Sequence, residues 1–489
     1  MTGRTRERTR AAGGWRRPAA CVLGALLAAG TPTGHAETLL DFYDAALATN
    51  PTYRIRELSI DQARGQRSQT FSRLLPQISA NSNYSQNNFD DPFTADHYNG
   101  TRNAVQLRQA LLDLTGYFRF SSAKSAVLQT KYARDAVRME LAGEVIDRYL
   151  LVLQAADEVN YLGAEQAATE SDMKRLRAMR ERQLVKITDL LEVEAYYQEL
   201  LTNAIQAHNN HAVALAQLRE SSGIDVSDVA PLTRIDFTLP QGDEASWVAT
   251  ALRNNGTLLA LQQAIEAAHA LLRSAQSEHL PTVALTATQV RSDQGVDNRQ
   301  SPRFDVGSVG VQMSLSLYEG GRISGDIAEA KARWKIARQQ YEQAARQIER
   351  ETRTALLESQ SSFARVHSTG EQVAALERVV DAQRKSYSLG VATVIDLLVA
   401  ERRLLRARSD QSRARYDFIR NASLLRVRAG NLARADITEI DQRMRQGPPA
   451  PPVKSPQRPP LAPPLAPPVK GGPSTARGPG WIEQVAPEG

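Results

Sequence analysis

Cysteine is all but missing from this 489-residue sequence: there is one, Cys21, and it lies near the N-terminus. That excludes a disulfide-stapled scaffold, a Cys-based metal centre and a Cys nucleophile for the main body of the chain. Long apolar runs are also missing. No stretch reaches the roughly 18 consecutive apolar residues of a transmembrane helix, which leaves a soluble, peripheral or β-barrel protein. Net charge is scarce once the N-terminus is set aside. Residues 1–17 carry six arginines and one glutamate, so +5 of the formal +6 sits there and about +1 remains. A nearly neutral body lacks the basic footprint of a nucleic-acid binder. Proline is rare until the C-terminus, where 14 of 23 prolines fall between Pro448 and Pro487.

What is present divides the chain. The arginine-rich start, the short apolar run from Ala19 to Ala29 and the small-x-small triplet Gly34-His35-Ala36 have the three parts of a secretory signal peptide. A disordered basic arm would explain the arginines but not the other two parts. The expected organisation is a signal peptide at 1–36, a first repeat at 37–230, a linker at 231–246 marked by Pro231, Pro240 and Gly242, a second repeat at 247–446 and a proline-rich, solvated tail at 447–489. The repeats are read from matched residues. Ala46, Leu47 and Asn50 answer to Ala251, Leu252 and Asn255, and Leu75-Pro76 to Leu280-Pro281, at an offset of 205. Ala123-Lys124 answers to Ala330-Lys331, and Asp189-Leu190-Leu191 to Asp396-Leu397-Leu398, at 207. Self-similarity on this scale is the mark of a duplicated structural unit.

Each unit reads as helix, two strands and a long helical hairpin. Period-2 alternation over Ile78–Tyr84, Val105–Leu111, Val283–Ala287 and Val309–Leu317 predicts four strands, with turns at Asn87–Gly100 and Ser292–Ser301. One face is moderately apolar and the other rich in Ser, Thr, Gln and Asn, as in a barrel with a wet lumen, although a pair of surface hairpins would show the same pattern. Four strands cannot close a barrel, and lipid tolerates no open edge, so strands that span a membrane must be pooled between chains. Proline-free stretches from Phe118 to Arg182 and from Ile323 to Leu389 predict helices of some 100 Å. Shorter helices are expected over Leu39–Phe71, Asp189–Glu220, Trp247–His279 and Asp396–Arg428, two of them stacked end to end against each long one. The steps Ile327, Ala330, Trp334, Ala337, Tyr341, Ala344 and Ile348 form a heptad seam. A cytosolic coiled coil would share this seam but has no use for a signal peptide.

In sequence order, Leu75-Pro76, Leu280-Pro281, Leu317-Tyr318-Glu319-Gly320-Gly321, Ala330-Lys331-Ala332 and Tyr387-Ser388-Leu389-Gly390-Val391-Ala392-Thr393-Val394-Ile395-Asp396-Leu397-Leu398 resemble the TolC family of outer-membrane channels. The resemblance implies a mainly α protein with a β-barrel part: a homotrimer whose twelve pooled strands form an outer-membrane barrel continued by a periplasmic α-helical tunnel. Its implied partners are copies of itself, outer-membrane lipid, a periplasmic adaptor and an inner-membrane ABC transporter, with an exported protein as cargo. No lipoprotein cysteine follows the signal peptide, which favours type I protein secretion over a multidrug efflux pump. The whole chain also resembles the exporters of adenylate cyclase–haemolysin toxins, which would make such a toxin the cargo. A soluble periplasmic coiled-coil adaptor or scaffold is the alternative of a different class.

The resemblance places the periplasmic entrance at the hairpin tips. Tyr387 and Asp396 match the family's gate, Asp189 is the first-repeat counterpart and Gly390 is the expected hinge. Three copies of Asp396 would form a ring of like charge able to hold cations. The same aspartates stand where short helices begin, so N-capping is an equal reading. Ala392 and Val399 stand where the family carries a basic residue and a second acid, and Gln183 replaces the first tip's glycine. No enzymatic site emerges. His208 and His211 lie one helical turn apart without a third metal ligand, and Gly307, Gly310, Gly320 and Gly321 are followed by no lysine in phosphate-loop register. Neither a cofactor nor a metal is expected.

Overall fold

The structure, a computed structural model, describes residues 37–91, 94–183, 185–225, 229, 238–293 and 302–445. The expected signal peptide and proline-rich tail therefore lie outside the described residues, as does 231–237 of the expected linker. The element order is α1 (Leu39–Thr49), α2 (Pro51–Ser72), β1 (Gln77–Asp91), β2 (Thr94–Leu112), α3 (Leu114–Glu181), α4 (Ile187–Ser222), α5 (Glu244–Asn254), α6 (Gly256–Gln276), β3 (Thr282–Ser292), β4 (Phe304–Ser314), α7 (Arg322–Ser388), α8 (Val394–Arg428) and α9 (Arg434–Arg445). The first six elements repeat, with α5 as the counterpart of α1 and α8 of α4.

The two long helices have 68 and 67 residues, each about 100 Å. Among the described residues no helix is long and apolar enough to cross a membrane. On the strand side α2, α3, α6 and α7 lie side by side; on the tip side the order is α4, α3, α8, α7. Each long helix is thus flanked by short ones that meet end to end. The joints repeat. Asn50 donates its side-chain amide to Ser221 O at 3.3 Å, and Asn255 donates to Arg428 O at 3.1 Å. Both asparagines are extended (φ −63 and −64) and cap the helix that follows. That conformation breaks the expected single helix Leu39–Phe71 into α1 and α2, with Pro51 at N1, where its missing N–H costs nothing. The second-repeat helix is broken in the same way. It begins at Glu244, inside the expected linker, because Asp243 caps it by accepting from Ser246 N.

The heptad seam on α7 is real. Ile327 through Ile348 are half-buried or buried at every seam position, and Trp334 faces His269 of α6 at 5.5 Å between ring centres. Close helix approach is sharpest at Gly256, where a Cβ would sit 2.9 Å from Ala136 N of α3. The main core forms a belt where α1 and α9 cover α3, α4 and α8, around Phe42, Tyr149, Leu150, Leu218 and Ile437. α9 was not expected from the sequence; Leu39 N donates to its Asp441 and Arg434 pairs with Asp44.

The four strands form one antiparallel sheet in the order β1-β2-β3-β4. Pairing continues from Gln77↔Arg108 to Asp91↔Thr94, so most of the expected Asn87–Gly100 turn is strand. Cross-strand hydrogen bonding outweighs the poor strand propensity of those Asn and Asp residues. β4 stops at Ser314, and Leu315 and Leu317 lie beyond it. Register aligns the apolar sets of all four strands. Ile78 pairs with Leu107, Leu107 with Ala287 and Ala287 with Val309; Val283 pairs with Met313 and Leu285 with Val311. Val309, Val311 and Met313 are 65–78% exposed on this face. β1 and β4 each pair on one side only.

Candidate functional site

The hairpin tips are built by repeated backbone chemistry. After α7, Gly390 takes φ +75; Gly390 N donates to Tyr387 O at 3.0 Å and Val391 N to Ser386 O at 3.0 Å. These two bonds are the Schellman termination, which needs a left-handed residue after the helix. In the first tip that residue is Gln183, the one non-glycine with positive φ (+58) among the described residues, and its N–H donates to Arg180 O at 2.8 Å. Gln183 stands in place of the glycine of the second tip, and the backbone keeps the left-handed conformation and holds the strain.

The two aspartates stand at equivalent places with different partners. Asp396 is the third residue of α8, not its N-cap. Thr393 is the cap: its hydroxyl accepts from Asp396 N at 3.2 Å and donates to Asp396 Oδ2 at 2.7 Å, and Thr393 N donates to the same oxygen at 3.0 Å. This capping box satisfies two otherwise orphaned N–H groups. The Thr393 hydroxyl, and then its amide, hold the Asp396 carboxyl below the usual carboxylate range, so it is ionised and exposed at the tip. Asp189 likewise stands third in α4, but Lys186 occupies the cap position and makes no side-chain cap bond. Asp189 accepts a 3.3 Å bond from the Thr188 hydroxyl.

Tyr387 points into the structure. Its ring joins an apolar cluster drawn from both hairpins: Met173 and Leu176 of α3, Leu190 and Val193 of α4, and Ile395 and Leu398 of α8. Its hydroxyl lies 4.0 Å from Met179 Sδ, and the Arg175 guanidinium sits 5.4 Å from its ring centre. The structure thus brings Tyr387 to the junction between the hairpins and leaves Asp396, Asp189 and Gly390 around the rim. Leu176 and Val193, from the two arms of the first hairpin, are buried in this cluster, which contributes about 2 kcal/mol each relative to exposure.

Sequence reasoning missed the ionic ties behind the tips. Arg177 pairs with Glu194 at 2.7 Å and Arg384 with Glu401 at 2.9 Å, each joining the arms of one hairpin. The two pairs are related by the same offset of 207, a signal that was available in the repeat. A third tie crosses between repeats. Tyr196 of α4 donates to Glu165 of α3, and Arg402 of α8 lies over the Tyr196 ring. Burial pushes the Glu165 carboxyl up, opposed by the tyrosine hydrogen bond. These residues line a groove of about 560 Å³ between α3, α4 and α8. His208 is exposed and His211 half-buried on α4, and no cluster of three or more metal-ligating side chains occurs among the described residues.

Comparison with known proteins adds to this geometry. Residues 247–431 match the family model "Outer membrane efflux protein". The chain is 26% identical to Outer membrane protein TolC of Escherichia coli (strain K12) over 437 residues, covering 86% of this chain and 88% of that one. It is also 26% identical to Alkaline protease secretion protein AprF of Pseudomonas aeruginosa, covering 82% and 85%. Among solved structures, the CusC channel superposes with a TM-score of 0.72 at 17% identity, covering 81% of this chain and 93% of the other.

Proposed function

Because this chain belongs to the TolC family of outer-membrane efflux and secretion channels, we propose that it is the outer-membrane duct of a type I secretion system, conducting a protein from an inner-membrane ABC transporter and its periplasmic adaptor to the exterior. The family consists of channels, not enzymes, and its outer-membrane setting removes the soluble-adaptor alternative. The observation that carries the duct is the open sheet. Its apolar strand faces are aligned and exposed, among the described residues both outer edges are unpaired, and each strand pair leads into an arm of about 100 Å. Lipid forbids such edges, so identical copies close the wall, and three copies of four strands supply twelve. In this reading residues 1–36 direct export, the two repeats form the wall and 447–489 is a solvated appendage.

The tips form the periplasmic entrance. Asp396 and Asp189 supply charge, Tyr387 closes the junction between hairpins, and Gly390 is the hinge at which the second tip bends. Conduction is passive and its energy comes from the transporter. Likeness to AprF, a protease secretion protein, supports protein cargo, and an adenylate cyclase–haemolysin toxin is the cargo we favour. The family model's own description supports the second reading, an efflux pump component. Deleting the gene and comparing secreted proteins with drug tolerance separates the two. Loss of one exported protein with drug tolerance intact supports secretion; intact secretion with lost drug tolerance overturns it.

A further inference from the structure

The two faces of the sheet differ in charge as well as polarity. On the face opposite the apolar set, Arg108 stands in a row with Gln77, Thr286 and Gly310, and Arg102 in a row with Asn83, Ser292 and Phe304. Across the described part of the four-stranded region, these two arginines are the only residues of that face charged at neutral pH, and both are exposed. The acids nearby are engaged or distant. Asp293 is held by the Thr101 amide at 2.6 Å and by its hydroxyl at 2.7 Å, a hydroxyl on the opposite face. Asp305 pairs with Arg291 at 2.8 Å, also on the opposite face. Asp96 and Asp91 share the Arg102 face only in the two-stranded extension of β1 and β2, six and eight rows beyond Arg102, about 20 Å or more, past the screening length of about 8 Å.

We infer that the barrel lumen is an anion-attracting passage, lined by two rings of arginine, and that the segment of cargo inside it is an acidic polypeptide. This rests on the trimeric duct proposed above. Twelve strands spaced about 4.8 Å apart and tilted about 40° enclose a backbone radius of about 12 Å. An arginine side chain reaches about half of that, so in the plane of each ring the axis lies about 6 Å from each guanidinium, inside the screening length of about 8 Å. At that distance in a water-like medium three arginines raise the local concentration of a monovalent anion about fivefold per ring. Six residues separate the rings on β2, about 15 Å along the tilted axis, so an extended acidic segment bridges both. An acidic entrance built on Asp396 would complement this lumen: like charge at the periplasmic mouth resists idle entry, and opposite charge in the barrel draws cargo onward.

The test uses full-length trimers in planar bilayers, with a Glu-Gly peptide and a Lys-Gly peptide of equal length added in turn from the barrel side at low salt. We expect the acidic peptide to block at a concentration at least tenfold lower than the basic one. Arg102→Gln with Arg108→Gln should abolish that difference and lower the anion-to-cation permeability ratio at least threefold, while Arg102→Lys with Arg108→Lys retains both. Equal block by the two peptides, or a glutamine double variant that behaves as wild type, overturns the inference. A wild-type protein that conducts no ions at all would instead overturn the duct reading on which it stands, and the inference with it.

Discussion

Substituting Gly390 by alanine tests the tip as a backbone device rather than a side-chain one. Its φ of +75 lies in the left-handed region, and nothing stands within 4 Å of the Cβ that alanine would add. The cost is therefore conformational: about 1–2 kcal/mol for an L-residue held there. Three chains sharing one closed entrance would sum to about 3–6 kcal/mol, a shift of two to four decades in the closed-to-open ratio if the copies act together. Hydrogen exchange at Val391 and Ala392, whose amides bond Ser386 O at 3.0 and 3.3 Å, reads the loss directly. We expect at least fivefold faster exchange there and a larger resting conductance. The control is Gln183→Gly at the first tip. It relieves comparable strain but adds about 0.5–1 kcal/mol of chain entropy to be lost, so its net effect should be small. If Gly390→Ala leaves exchange and conductance unchanged, the left-handed turn is not what holds the second tip.

The capping box makes a pH prediction with a definite sign. Asp396 has its folded pKa depressed below the ordinary value near 3.8, so its contribution is present above that value and lost as pH falls through the folded one. Exchange protection at the start of α8 should stay flat from neutral pH to about pH 4 and fall only below it. Thr393→Ala should speed exchange at Asp396 N roughly fivefold at neutral pH, and unchanged exchange would refute the cap. Gly256→Val should separate α6 from α3, because the added Cβ meets backbone atoms at 2.9–3.1 Å that cannot rotate away; we expect the thermal midpoint to drop by several degrees, measured by circular dichroism. A midpoint within a degree of wild type would show that the helices accommodate the bulk.

Much of the architecture was legible because its signals are periodic. Strand alternation placed Leu285, Val309 and Val311 correctly, and the seam from Ile327 to Ile348 placed α7, since burial follows the residue spacing of 2 or 3.5. The repeat then doubled each observation. What escaped has a local cause. The break at Asn50 depends on one extended residue that also bonds the end of a distant helix, and no periodicity records a partner 171 positions away. The first hairpin runs through Asn and Asp because strand pairing overrides propensity. α9 was hidden by its high charge, and only contacts such as that of Asp441 with Leu39 fix it. At the tips, position was legible and role was not. From sequence Asp396 reads equally as a gate residue or an N-cap; the structure puts Thr393 at the cap, three residues earlier, and packs Tyr387 between the hairpins.

The mass of the particle extracted from outer membranes in mild detergent tests the central claim most directly. An assembly of three chains that seals a conducting pore in a planar bilayer is the expected result. A folded single chain that is stable in plain buffer would mean that both edges of the sheet tolerate solvent, and the incomplete-wall argument would fall.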